Sequence, residues 1–476
     1  MPMMPLRRLC LIAPVLLALN TPGGAAAAAP IDIPRIVWRE RVLPNGLQVV
    51  SVEDHASPTV SVQVWYKVGS KDDPEGRSGF AHLFEHLMFK GSRALKPEQF
   101  DRLTEDVGGS NNASTDDDYT NYFEVVPSNH LETLLWAEAE RMAHLRVDGA
   151  NFKSERDVVK EEYRLRVLAE PYGRLFNSIA RHSYALHPYR RPGIGSIPDL
   201  EAATLDDVVR FHSTFYRPDN ATLIVVGDFD PAQLDAWVGR YFAGIARPAA
   251  PIPRVSVREP ARSRNREVEE TGPAVPLPAV VMTWFAPPAD HPDMAALEVA
   301  AALLAGGQSA RLNQELVYRN EIASDAGFYA DFRVDTGLLV AYAIAAGGKD
   351  LATLASALLR EVERLARRPV SAAELDKVKT QLLTHALVER QTAIGKGMAL
   401  GHAILVGGNV ARVNTDLAAL QAVTAADVQR VMRQYVANAP RVTIRYRQEE
   451  KGAQGPGRQN GATPAPPATS GPGGVR

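Results

Sequence analysis

The segment His82-Leu83-Phe84-Glu85-His86 places two histidines four residues apart with a glutamate three after the first. On a helix, positions i, i+3 and i+4 share one face, so both imidazoles and the carboxylate reach the same small volume. Two neutral imidazoles suit zinc, and a carboxylate beside an open coordination position can take a proton from water. The chemistry this spacing points to is metal-assisted hydrolysis. A hydrolytic zinc takes three protein ligands and keeps one place free. The third ligand must therefore come from a second element. Residues 151–169 predict a helix ended by Glu170-Pro171, carrying Glu155, Glu161 and Glu162. Glu155 and Glu162 are two turns apart and share a face, whereas Glu161 points about a hundred degrees away. Spacing leaves both Glu155 and Glu162 open as the ligand, the other being free to orient a ligand from behind.

Elements must hold such a site, and the chain has material for them. Its 476 residues exceed one ordinary domain, and 45% hydrophobic with 23% charged residues is the balance of a globular protein. No basic cluster suggests nucleic acid. Arg7-Arg8, the apolar run Leu9–Leu19 and the alanines to Ala29 have the order of a secretory signal. Residues 1–29 are therefore expected to be a cleaved leader, leaving a periplasmic or secreted chain with no transmembrane segment. Cleavage would remove Cys10, the only cysteine, so zinc would fall to histidine and carboxylate ligands.

Two long regions, 34–247 and 279–447, flank a proline-rich stretch, 248–278, expected to be a linker with an edge strand inside it. Residues 448–476, rich in Gly and Pro, are expected to be disordered. The two regions resemble each other. Thr204, Asp207, Val208 and Arg210 recur as Thr424, Asp427, Val428 and Arg430, a constant offset of 220. The alternating strand Val60–Tyr66 has a counterpart at Val280–Phe285. Duplication explains both landmarks. Where the first copy has its histidines, the second has Met294–Leu304, rich in Ala and Leu and free of histidine.

Three blocks carry a family resemblance: Gly79-Phe-Ala-His-Leu-Phe-Glu-His-Leu-Met-Phe-Lys-Gly-Ser, Gly108-Gly-Ser-Asn-Asn-Ala-Ser-Thr-Asp-Asp-Asp-Tyr-Thr-Asn-Tyr, and Glu155-Arg-Asp-Val-Val-Lys-Glu-Glu. Together they resemble the pitrilysin family of inverzincin metallopeptidases, which includes insulin-degrading enzyme and the mitochondrial processing peptidases. The resemblance runs from about Val37 to Tyr446. It implies an α+β fold: two homologous α/β-roll domains, each an antiparallel-rich sheet with helices on one face, together forming half of a clamshell. It implies one zinc per chain held by His82, His86 and Glu162, with Glu85 as general base and Glu155 supporting the ligands from behind. It also implies that Asn112 and Ala113 contact the substrate backbone on an active-site edge strand. Read without the family, Asn111-Asn112 is a polar turn. The implied activity is zinc-dependent endopeptidase action on short or unfolded peptides.

One family feature is missing. Many relatives carry, in the second half, an Arg and seven residues later a Tyr that close over the site. Aligned on Ser309-Ala-Arg-Leu and Ile322-Ala, those positions hold Val317 and Ser324, while Arg311 and Tyr318 share the separation one element too early. Neither valine nor serine replaces a guanidinium or a phenol. The expectation is a homologous partner subunit supplying the pair in a heterodimer, with a homodimer using other donors as the alternative. Two rival readings are a non-catalytic subunit and a zinc amidase. The complete motif opposes the first, and the edge-strand block and twin halves oppose the second.

Overall fold

The computed structural model describes residues 31–449, so the expected leader and the tail beyond residue 449 lie outside the described residues. Two sheets organise the chain. The first holds β1 (Arg39–Val42), β2 (Gln48–Glu53), β3 (Thr59–Tyr66), β4 (Ser110–Thr115), β5 (Thr120–Pro127) and β6 (Ala221–Gly227), in the order β1-β2-β6-β3-β5-β4. The second holds β7 (Arg266–Gly272), β8 (Ala279–Ala286), β9 (Ala323–Asp331), β10 (Gly337–Ala345) and β11 (Val442–Gln448), in the order β7-β11-β8-β10-β9. Setting β1 aside, the sheets have one topology: β2 runs parallel to β6 as β7 does to β11, and the other ladders are antiparallel. The repeat extends to helix starts. Thr204 and Thr424 each form a capping box with the Asp three residues on, Asp207 and Asp427. The second sheet begins inside the stretch expected as linker, because Arg266–Gly272 is strand β7 at its edge.

The fold is the expected α+β pair of sheets, with apolar cores where most helices meet one face of each. The opposite faces are closed by exchange. Helix Ala393–Leu405, from the second half, lies on β3 and β6 of the first sheet. Helix Gly173–Ser183, from the first half, lies on β8 and β11 of the second. Both faces of β3 and β6 are consequently buried: β6 reads as an apolar run, whereas β3 alternates and buries Ser61 and Gln63 on its second face. Close approach needs small residues. A Cβ on Gly401 would stand 2.1 Å from Trp65 Cε2, and one on Gly397 would stand 2.3 Å from Gln63 Nε2. Gly401→Val is therefore expected to lower stability by about 3 kcal/mol through overpacking, read as a shifted denaturant midpoint. An unchanged midpoint would mean that the exchanged helix can lift off the sheet at no cost.

Candidate metal centre

The His82 helix, Phe80–Leu87, is short and two-faced. Phe80, Ala81, Leu83, Phe84 and Leu87 are buried in the first core, leaving His82, Glu85 and His86 on the other side. Its start is fixed by Asp73, whose carboxylate accepts the backbone N–H groups of Gly79 (2.8 Å), Phe80 (3.2 Å) and Ala81 (2.8 Å). These are donors a helix leaves without partners, and a negative charge there also meets the positive end of the dipole. Gly79 itself has φ 86°, and a Cβ on it would lie 2.8 Å from the Ile194 carbonyl oxygen. Only glycine lets the chain turn there while touching that loop.

The Glu162 helix, Gly149–Tyr163, packs against the His82 helix and passes into a π-helical turn at Arg164–Ala169. Glu162 Oε2 lies 3.5 Å from His82 Nε2 and 3.6 Å from His86 Nε2. A tetrahedral zinc with bonds of about 2.0–2.2 Å sets neighbouring ligand atoms about 3.4 Å apart, so the donor set fits that ion in type and spacing. Among the described residues this trio is the one group of His, Cys, Asp or Glu whose ligand atoms converge, all within 4.8 Å. Burial, helped by the charge of His86, pushes His82 down to about 4, which keeps its imidazole neutral and its lone pair available. Glu161 pairs with Arg164 away from the trio.

The two glutamates of the seven-residue pair lie at different depths. Glu155 is buried, 3.5 Å from His86 Nδ1 and 3.2 Å from Lys90 Nζ. Burial works against its charge, but His86 and Lys90 outweigh it and hold the carboxyl below its usual range. An anionic Glu155 at Nδ1 favours the tautomer whose free lone pair is on Nε2, facing Glu162. Glu85 is half-buried beside Thr115 of β4, and burial raises its carboxyl above the ordinary range against the pull of Thr115 and His86. That direction suits a proton acceptor working near neutral pH.

Among the described residues β4 pairs with β5 alone, so its other edge carries no described strand and lies beside the His82 helix. Asn112 is exposed and its Oδ1 accepts the Ala113 N–H at 2.8 Å. Residues 110–115 are thus strand, not the polar turn that Asn111-Asn112 suggests by itself. Asp73, Lys90, Thr115 and Arg166, whose Nη1 is 2.8 Å from Glu162 Oε1, escaped sequence reasoning. Lys90 and Arg166 each stand four residues after a site residue, a findable spacing. Asp73 gives no such signal, since it caps from across a loop.

In the second half, Val317 sits in the π-helical turn Asn313–Arg319 against the core, and Ser324 opens β9 with its hydroxyl directed at the carbonyls of Ile344 and Ala345. Arg311 is held bidentately by Glu374 at 2.8 and 2.7 Å, which takes it out of play as a free donor. A cavity of about 920 Å³ lies in this half, lined by Ala302, Ala305, Phe328 and Leu382 among others, and includes neither His82 nor His86 in its lining.

Residues 48–195 match the family model described as insulinase, peptidase family M16, and residues 202–382 match the peptidase M16 inactive domain. The zinc protease PqqE of Helicobacter pylori is 34% identical over 75% of this chain and 80% of its own. A solved protease from Helicobacter pylori superposes with a TM-score of 0.83 at 29% identity, covering 87% of this chain and 100% of that one. The periplasmic protease PqqL of Escherichia coli shares the fold, with a TM-score of 0.70 at 19% identity, covering 88% of this chain and 48% of that one.

Proposed function

The chain belongs to peptidase family M16, and from that premise we propose that it is a zinc-dependent endopeptidase acting on short or unfolded peptides. The observation that carries this is the convergence of His82, His86 and Glu162 at ligand spacing with Glu85 beside them. His82, His86 and Glu162 would hold the ion, and Glu155 and Lys90 would orient His86. When bound, zinc supplies Lewis acidity toward the scissile carbonyl and lowers the pKa of water in the site. Glu85 takes the proton from the attacking water and returns it to the leaving amine. The open edge of β4, with Asn112 and Ala113, receives the peptide as an added strand. On this reading 34–247 is the catalytic half and 279–447 its partner half, joined through 248–278, which also supplies β7.

A second reading is favoured by Val317 and Ser324: the chain is one subunit of a heterodimer whose homologous partner brings the Arg/Tyr pair. The periplasmic protease PqqL, of whose chain this one covers 48%, supports a two-half assembly and a periplasmic location. No helix among the described residues is long and apolar enough to cross a membrane. The test is hydrolysis of mixed unstructured peptides by the chain alone, with zinc stoichiometry measured in parallel. Activity that a chelator removes and zinc restores supports a self-sufficient peptidase. A zinc-loaded chain that turns over only after addition of a homologous subunit supports the heterodimer. A chain that takes up no zinc in either setting overturns the peptidase reading.

A further inference from the structure

β4 ends at Thr115 and enters a turn, Asp116–Tyr119, closed by an Asp116 N–H to Tyr119 carbonyl bond of 2.9 Å. This turn is gripped from both halves. The segment leading to the His82 helix donates Ser70 N–H to the Asp116 carbonyl (3.0 Å) and Lys71 N–H to the Asp117 carbonyl (3.2 Å). Lys71 Nζ lies 2.5 Å from Asp118 Oδ1. From the second half, the turn between β9 and β10 brings Arg333 Nη1 to 2.9 Å from Asp117 Oδ2 and donates Val334 N–H to Asp118 Oδ2 at 2.9 Å.

Arg333 is built into place. It is 8% exposed, ion-paired with Asp331 at 2.6 Å, and its guanidinium lies over the rings of Tyr189 (4.8 Å) and Tyr184 (5.4 Å). Burial pushes the Asp117 carboxyl up, and Arg333 is the strongest influence pulling it down. Remove that guanidinium and a largely enclosed carboxylate remains beside Asp116 and Asp118 with the Ser70 hydroxyl but without its countercharge, which favours opening of the turn or uptake of a proton.

We propose that Arg333 is a positioning residue for peptide hydrolysis, holding Asp117 so that β4 keeps the edge that receives the peptide and keeps Thr115 beside Glu85. The proposal rests on the peptidase reading. It gives the second half, which contributes none of the converging metal-ligand side chains, a part in the site. The ligands themselves stand on helices Phe80–Leu87 and Gly149–Tyr163, so zinc uptake is expected to survive loss of the anchor.

The experiment compares Arg333→Met, Arg333→Lys, Asp117→Asn and the Asp117→Asn/Arg333→Met pair. Each is checked for zinc stoichiometry and fold by circular dichroism. Binding of a fluorescein-labelled unstructured peptide is read by anisotropy in a Glu85→Gln background, and kcat and KM are read with Glu85 intact. Arg333→Met is expected to load zinc normally, weaken peptide binding about tenfold and lower kcat/KM by about a hundredfold, the scale of a small misplacement. Arg333→Lys should recover part of the loss. The double variant should lose no more than the worse single, because both act through one contact. Wild-type peptide binding and turnover in folded, zinc-loaded Arg333→Met would overturn the proposal, as would additive losses in the pair. If Arg333→Met does not fold, Arg333→Lys and Asp117→Asn carry the same comparison. A wild-type chain that loads zinc but neither binds nor cleaves peptides, with or without a homologous subunit, sinks the peptidase reading instead, and the variants then have nothing to position.

Discussion

Glu85→Gln is expected to bind zinc as the unchanged chain does and to lose peptide hydrolysis by a factor of about a thousand or more, the range for removing a positioned proton acceptor. The substitution keeps the shape of the side chain and removes only its ability to accept a proton. The helix face, the two imidazoles and Glu162 are untouched, so metal content and unfolding midpoint should not move. Glu162→Gln provides the contrast, because it weakens a ligand and should lower zinc content together with activity. Zinc analysis beside a peptide assay separates the two. If Glu85→Gln retains more than a tenth of the activity, the proton must travel by another group and the site needs a different assignment.

The second large effect lies under the sheet. Arg141 is fully buried, with Nε donating to Glu138 Oε2 at 2.8 Å and Nη2 to Glu124 Oε1 at 3.0 Å. Its guanidinium also lies over the rings of Phe100 (4.1 Å) and Tyr122 (4.5 Å). Arg141→Ala would strand two carboxyls in an apolar core and leave a void between the rings. The expected cost is about 3–5 kcal/mol, the scale for breaking a buried ion pair by removing one partner. Burial and the neighbouring Glu138 raise Glu124 well above the usual carboxylate range, against the pull of Arg141. Because these surroundings disfavour the charged form of Glu124, Glu124→Gln should cost much less than Arg141→Ala, about 1 kcal/mol. Denaturant melts of both variants check the pair. Equal, large losses from both would mean that Arg141 holds Glu124 in its charged form despite burial.

These effects meet near the site. Tyr122, under Arg141, contacts the His82 helix through its hydroxyl, 3.5 Å from the Phe84 carbonyl, and shares a contact of 3.2 Å with Tyr216. The floor beneath the histidines is thus aromatic and closely packed. A destabilised Arg141 variant should lose activity in step with its folded fraction, whereas Glu85→Gln should lose activity while fully folded.

What the sequence determined by itself was whatever repeats with a local period. The i, i+3, i+4 spacing put His82, Glu85 and His86 on one helix face, because helical geometry needs no partner to do so. The offset of 220 announced two halves of one topology, since strands and helix starts carry their signals in a few neighbouring residues. The choice between Glu155 and Glu162 was different. Both occupy one face of one helix, and only the depth at which that helix crosses the His82 helix sets Glu162 against both Nε2 atoms and Glu155 behind Nδ1. Asn111-Asn112 looked like a turn because its residues favour one, and became strand because β5 offers a ladder. The exchange of helices between halves, the capping of the His82 helix by Asp73 and the grip of Arg333 on Asp117 join residues 6 to 342 positions apart, as in the contacts of Gly79 with Asp73 and of Lys396 with Asp54. No local pattern encodes such pairings, because their energy comes from burial and charge that exist only once the chain has folded, and for the helix exchange and Arg333 only once the two halves have closed on each other.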